Sequence, residues 1–271
     1  MLSRIESPKL VVRVAIYFSS ALVSIISSSF GFAEENVQWA PPQLIGRIAL
    51  ESTSPIRTKA RYVLIGGSAL TLAAMTFRRG VIEPLDNELH EDRPLGSWSR
   101  AGDVLGQLVP NLVYSLANGG LYLLSRDSRS LKRAETMVKA TAYSGALALA
   151  LKSTVREGRP YDRTVRTSFP SGHTTTTFAF ASVVAMEHEW YWGMAAYGLA
   201  TFVGVSRIND HQHHTHDVLA GATIGMSYGL GLFYHSNASA ELAKESHRSS
   251  LVAVLPGPDL DGTIVSVTST Y

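Results

Sequence analysis

Between residues 62 and 235 the chain carries six apolar-rich stretches of helical length and no run that alternates apolar with polar residues as a strand would. The stretches lie at about 62–77, 103–125, 136–154, 174–188, 190–206 and 217–235. Apolar residues spread over such lengths are buried as helices, and the Gly and Ala within them let helices approach closely. The fold class expected is all-α, a bundle of about six helices. With 45% of 271 residues hydrophobic and 17% charged, a sizeable core can form and wholesale disorder is excluded.

The two ends read differently. Arg4, Lys9 and Arg13 precede an apolar run over 14–26, and small residues lead to Gly31, Phe32 and Ala33, the layout of a secretory signal peptide ending at residue 33. An uncleaved anchor helix is the alternative reading of the same run, which is short for a span. Residues 34–60 carry Pro41, Pro42 and Pro55 and read as an extended N-terminal segment. The helical domain is expected over 61–236, followed by a tail over 237–271. In that tail, runs at 251–255 and 263–268 flank Pro256-Gly257-Pro258-Asp259 and predict a short β-hairpin.

Composition removes several classes of chemistry. The chain has no cysteine, which excludes disulfides, thiolate catalysis and Cys-based zinc sites. Without residues 1–33 it has 21 basic and 21 acidic residues, so no basic excess remains to follow a nucleic-acid strand. The helical stretches lie near the lower length limit for a membrane span, and 62–77 is bracketed by Arg61 and Arg78-Arg79. They are nonetheless rich in Thr, Ser, Gly and Ala, and mean hydropathy is only +0.08. The expectation is a membrane-associated bundle that does not fully span, with an integral arrangement as the alternative.

Three blocks in the second half are poorly explained by packing. The first runs from Lys152 to Arg159-Pro160, the second is Phe169-Pro170-Ser171-Gly172-His173, and the third runs from Ser206-Arg207 through His213 to Asp217. Lys152, Arg159 and Arg207 supply three cations, and the planar fork of Arg matches phosphate oxygens. Pro170-Ser171-Gly172 reads as a turn into a helix start, where free backbone N–H groups favour an anion and glycine permits close approach. His213 and Asp217, four residues apart, would share a helix face, and an aspartate beside an imidazole fixes its tautomer. His173 is a second imidazole, suited to protonating a leaving group. The blocks together describe an anion cradle, an oriented nucleophile and an acid.

In this order and spacing the blocks resemble the three-part signature of the type-2 phosphatidic acid phosphatase (PAP2) superfamily, which also takes in class A acid phosphatases and vanadium haloperoxidases. The resemblance covers about residues 86–235, with its specific residues in 152–217. It implies a PAP2-like helical bundle and a metal-independent phosphatase needing no cofactor. By the same resemblance, Lys152, Arg159 and Arg207 bind phosphate, helped by Ser171 and Gly172. His213 forms a phosphohistidine, Asp217 orients it, and His173 protonates the departing alkoxide.

The implied substrates are lipid phosphates (phosphatidate, phosphatidylglycerol phosphate, undecaprenyl diphosphate or a lipid A phosphate), met at a membrane surface in the bacterial periplasm. Soluble phosphomonoesters are the alternative. Halide oxidation on bound vanadate, or a non-catalytic phosphate- or metal-binding envelope protein, stand further off. His211, His214 and His216, crowded around His213, read either as a metal site or as a polar rim, and Asp162 and Arg163 as a pocket edge. Substrate identity and oligomeric state are not written in these motifs.

Overall fold

The computed structural model describes residues 41–248 and two strands, 252–255 and 263–266. The signal-peptide reading of 1–33 lies outside the described residues. The chain divides into two compact units at Arg47 and Ile48; of the first only residues 41–47 are described, as helix, and the site lies wholly in the second.

The segment expected to be extended is helical over its described part: α1 is Pro41–Ser52 and α2 is Ser54–Arg57. Its prolines, taken as signs of extension, stand in first turns, where a missing N–H costs nothing and the fixed φ suits a helix. The chain continues as α3 (Arg61–Thr76), a π-helical turn Arg78–Ile82, α4 (Glu83–Asp92), a 3-10 turn Gly96–Trp98 and α5 (Ser99–Leu105). Next come α6 (Val109–Ser125), α7 (Ser128–Val155), α8 (Gly172–Glu187), α9 (Trp190–Asn209) and α10 (Thr215–Arg248).

The all-α class expected from the sequence is the one observed, with local differences. The stretch 103–125 is broken at 106–108, where Leu108 takes a left-handed φ of 69° and Pro110 opens α6. Helix α7 begins eight residues earlier than its apolar pattern, because the Asp127 carboxylate accepts from the N–H groups of Arg129 and Ser130 and caps a polar first turn. Helix α10 runs to Arg248, past the expected boundary at 236. The hairpin is present as β1 (Val252–Leu255) antiparallel to β2 (Thr263–Ser266), with Val252 opposite Ser266 and Leu255 opposite Thr263. No helix among the described residues is long and apolar enough to cross a membrane.

Helix α8 packs against α7, α9 and α10, while α10 also packs on α3 and α7, and α9 on α5. The core is built largely of small residues, Ala140, Ala179, Ala181, Ala196 and Ala200, with Met137, Val183, Val184 and Leu232 among them. Small side chains bring helix axes together, and one ridge does so at the site. Asp217, Gly221, Gly225 and Gly229, each four residues on from the last, face α8. A methyl at Gly221 would lie 2.5 Å from the Ser171 carbonyl oxygen, one at Gly225 would strike the Thr175 carbonyl, and one at Gly229 would lie 2.5 Å from Ser182 Cβ. The ridge that lets the two helices touch therefore starts with the aspartate of the third block.

Candidate active site

The C-terminal ends of α7 and α9 meet the N-terminal ends of α8 and α10, and this junction gathers all three blocks. Ser171, extended at the N-cap of α8, donates its N–H to the Asp217 carbonyl at 3.0 Å. Gly172 stands above the Lys152 stem; a methyl there would meet Lys152 Cε at an ordinary 3.9 Å. Lys152, in the last turn of α7, donates through Nζ to the carbonyls of Pro170 (2.6 Å) and Thr167 (2.7 Å). Burial, then the charge of Arg159, lowers its pKa to about 8 against the opposing pull of Asp217. Arg159 donates to Thr167 Oγ1 at 3.3 Å and to Gln212 Oε1 at 2.9 Å, tying the first block to the third.

Arg207, 5% exposed, donates through Nη1 to Asp103 Oδ1 at 2.5 Å. The same oxygen lies 3.3 Å from His173 Nε2. Asp103, on α5, thus places one anionic oxygen between a phosphate-binding candidate and the candidate acid. Burial lowers the His173 pKa to about 4, Arg207, Arg159 and Lys152 add repulsion, and Asp103 opposes them. Behind His173 stands Gly106, where a methyl would lie 2.7 Å from His173 Cβ.

His213 and Asp217 are paired, though not on one helix face as the spacing suggested. Helix α10 starts at Thr215, so His213 lies in the preceding turn and Asp217 reaches back to it. Asp217 Oδ2 lies 3.5 Å from His213 Nδ1 and accepts from the Ser168 hydroxyl at 2.6 Å and the His214 N–H at 2.9 Å. His213 is 3% exposed and Asp217 fully buried. Burial holds the imidazole below its usual range, although Asp217 pulls the other way. Burial would raise Asp217, but His213, His216 and Ser168 outweigh it and hold the carboxyl low. At neutral pH the pair is a neutral imidazole beside a carboxylate, with His213 Nε2 on the ring edge away from Asp217.

The other histidines separate into two groups. His211 stacks on His90 with centroids 4.1 Å apart, whereas His214 stacks on His216 at 5.2 Å. His211, His214 and His216 therefore do not form one ligand set. Among the described residues, Glu157, His216 and Asp217 are the group whose ligand atoms lie within 4.8 Å of one another. Arg163 lines a polar cavity of about 250 Å³ beside His213, with Glu83, Asp86, Asn87 and His211. Asp162 instead turns back to cap Thr164.

Four residues escaped sequence reasoning. Asp103 carries no local signal, being 104 residues from Arg207. Asp86, buried on α4, accepts from the N–H and hydroxyl of Thr215 and caps the start of α10. Ser168 stands just before the second block. Glu157 is the acidic residue inside the first block, a signal that was present but looked like a spacer.

Comparison with known proteins falls on this junction. Residues 134–240 match the family model described as the PAP2 superfamily. Lipid A 1-phosphatase of Porphyromonas gingivalis is 36% identical over 138 residues, 49% of this chain but 30% of that protein. The chain thus spans about a third of that relative's length. Bacitracin transport permease protein BcrC of Bacillus licheniformis is 26% identical over 151 residues, 51% of this chain and 72% of that one. Among solved structures, Aquifex aeolicus LpxE aligns at 22% identity and a TM-score of 0.46, over 57% of this chain and 96% of its own. The transmembrane PAP2-type phosphatidylglycerolphosphate phosphatase of Bacillus subtilis aligns at 19% and 0.48, over 67% and 97%. The matched segment holds every signature residue from Lys152 to Asp217 and most of the helices that bring them together, and over it this chain is similar to the PAP2 superfamily.

Proposed function

We propose that the chain is a metal-independent phosphatase that removes phosphate from a lipid phosphate through a phosphohistidine on His213. The observation that carries this reading is the junction itself, where Lys152, Arg159 and Arg207 face two imidazoles of separate origin, each with a carboxylate beside it. Phosphoryl transfer needs positioning and charge stabilisation more than covalent help, and three cations with the N–H groups of α8 supply both. His213 Nε2 attacks phosphorus, and Asp217 accepts the Nδ1–H and stabilises the cationic phosphoimidazole. The P–O bond to the alcohol breaks, and its electron pair takes a proton from His173. Water, deprotonated by the now neutral His173, then hydrolyses the P–N bond and restores His213.

A neutral His173 is a poor acid, and the three cations are part of what keeps it neutral. A bound phosphate dianion reverses that field, so the substrate itself favours the protonated acid. Asp103, between Arg207 and His173, marks where a phosphate oxygen would sit.

A lipid substrate is supported by the likeness to a lipid A 1-phosphatase and by apolar side chains left facing solvent. Leu116 is 73% exposed and Leu124 87% on α6, and Trp190 is 71% exposed at the start of α9. Exposed apolar surface of this kind favours a membrane surface as partner. The signal-like residues 1–33 favour a periplasmic site of action. A soluble phosphomonoester is the second reading, favoured by the polar lining of the cavity beside His213.

The test is phosphate release from phosphatidate in mixed micelles with EDTA present, beside a small chromogenic ester and a His213→Ala control. Release that survives EDTA and vanishes in the variant is expected, with the lipid preferred. Release that persists in His213→Ala, or that EDTA abolishes, overturns the mechanism; preference for the small ester overturns the lipid assignment.

A further inference from the structure

His216 is fully buried, and its Nε2 lies 3.0 and 3.1 Å from the two carboxylate oxygens of Glu157 and 3.5 Å from Asp217 Oδ1. This nitrogen faces carboxylate oxygens, which only accept, so it carries the ring hydrogen. Its Nδ1 is buried and has no partner among the described residues. The ring stacks with His214 (interplanar angle 11°) and with Phe169 (25°), which fixes its plane. Glu157 is held in turn by Arg78 Nη1 at 2.6 Å, while Arg78 Nη2 meets His214 Nε2 at 2.8 Å. Arg78, Glu157, His216 and Asp217 thus form a chain ending on the carboxylate that faces His213.

We propose that Glu157 and His216 are positioning residues that keep the Asp217 carboxylate turned toward His213. Both occupy spacer positions, one between Lys152 and Arg159 and the other just before Asp217. The argument turns on one hydrogen. The two oxygens of Asp217 differ: Oδ2 accepts from Ser168 and His214, whereas Oδ1 is buried with no hydrogen-bond partner among the described residues. His216 Nε2–H lies 3.5 Å from Oδ1, and Glu157 takes that hydrogen at the shorter distance of 3.0 Å. Asp217 therefore keeps more of its charge for the His213 Nδ1–H. A buried acceptor without a donor is costly, which is the reason to look for what it does.

Removing the charge of Glu157 frees the His216 hydrogen to turn to Asp217 Oδ1. A carboxylate with a third strong donor is a weaker partner for His213, so the imidazole becomes less basic and the phosphoimidazole less stabilised. Replacing His216 by a ring without a donor acts in the opposite sense, because Glu157 and Asp217 then face each other unshielded. The other charges facing His213, Lys152 and Arg159, are the same in every variant. The kinetic consequence rests on the phosphatase reading, whereas the effect on His213 does not.

The experiment uses the full chain in detergent micelles, with histidine labelled for NMR and phosphatidate hydrolysis measured in parallel. In Glu157→Gln the His213 titration midpoint moves to lower pH, and kcat falls about tenfold with KM unchanged, the size of effect known for outer hydrogen-bond partners of metal ligands. Glu157→Asp restores much of both, His216→Phe moves the midpoint to higher pH, and Glu157→Gln adds nothing in an Asp217→Asn background. A wild-type His213 titration in both Glu157→Gln and His216→Phe, with only melting temperature lowered, overturns the proposal and leaves Glu157 as a brace for Arg78. Should Glu157→Gln fail to fold, His216→Phe decides alone by the direction of its shift. An inactive wild-type chain would sink the phosphatase reading, while the titrations would still decide this one.

Discussion

Gly221→Ala tests the contact that sets the geometry of the site. Gly221 lies one turn after Asp217, on the ridge where α10 meets α8, and the added methyl would stand 2.5 Å from the Ser171 carbonyl oxygen. Ordinary contact begins near 3.4 Å, so one helix must withdraw by about 0.9 Å. The obstruction is backbone, as are the Thr175 N at 3.2 Å and the helix start itself, so no side-chain rotation relieves it. Overpacking of this kind costs about 1–3 kcal/mol. Alanine regains about 1 kcal/mol over glycine inside a helix, which leaves a net loss of up to about 2 kcal/mol. For a chain of this size that lowers Tm by roughly 2–4 °C per kcal/mol.

The catalytic loss should exceed the loss of stability. Ser171 donates its N–H to the Asp217 carbonyl across this same contact, so withdrawal separates the anion cradle from the His213–Asp217 pair. A displacement near 1 Å at a reacting centre costs about 100-fold in rate. The assay is phosphatidate hydrolysis and thermal unfolding of Gly221→Ala beside Gly145→Ala, a helical position on α7 with nothing within 4 Å of the added methyl. Gly145→Ala should be more stable by about 1 kcal/mol and fully active. Gly221→Ala matching that control in both stability and turnover would refute the reasoning.

Two further outcomes follow from the electrostatics. Asp103→Asn removes the anion that favours a protonated His173, so the alkaline limb of the kcat/KM profile should move to lower pH; an unmoved limb assigns the acid elsewhere. His173 and His213 are both lowered by burial from an ordinary 6.5 to about 4, so the unfolded chain binds protons that the folded one does not. Stability should be fully present above pH 6.5 and fall as the pH drops from 6.5 toward 4, in denaturant titrations at constant salt. Stability that is flat or rises over that window contradicts the burial of these imidazoles.

How far the sequence could be read differs from element to element. Helices α3, α8 and α9 begin and end within a few residues of the apolar stretches that predicted them, because apolar patterning along a helix is a property of the segment alone. Helices α1 and α2 were missed since proline reads as a breaker unless its place in the first turn is known. The early start of α7 was missed because Asp127 caps a polar turn that buries little. The candidate site shows the same division. Its signature residues stand in three short blocks, so their identities and order were readable. That His213 stands in a turn, and that His211 and His214 part company, depend on where α10 begins, which Asp86 fixes from 129 residues away.

The sequence by itself determined the all-α class, the order of the long helices and the identities of the charged and imidazole side chains in the three blocks. Only the tertiary structure decided that Asp103 lies between Arg207 and His173, that Glu157 takes the hydrogen of His216, and that a glycine ridge presses α10 onto α8. The first set follows from interactions within a few residues along the chain. The second joins residues 46 to 104 positions apart, in contacts that exist only once helix packing has chosen which faces meet.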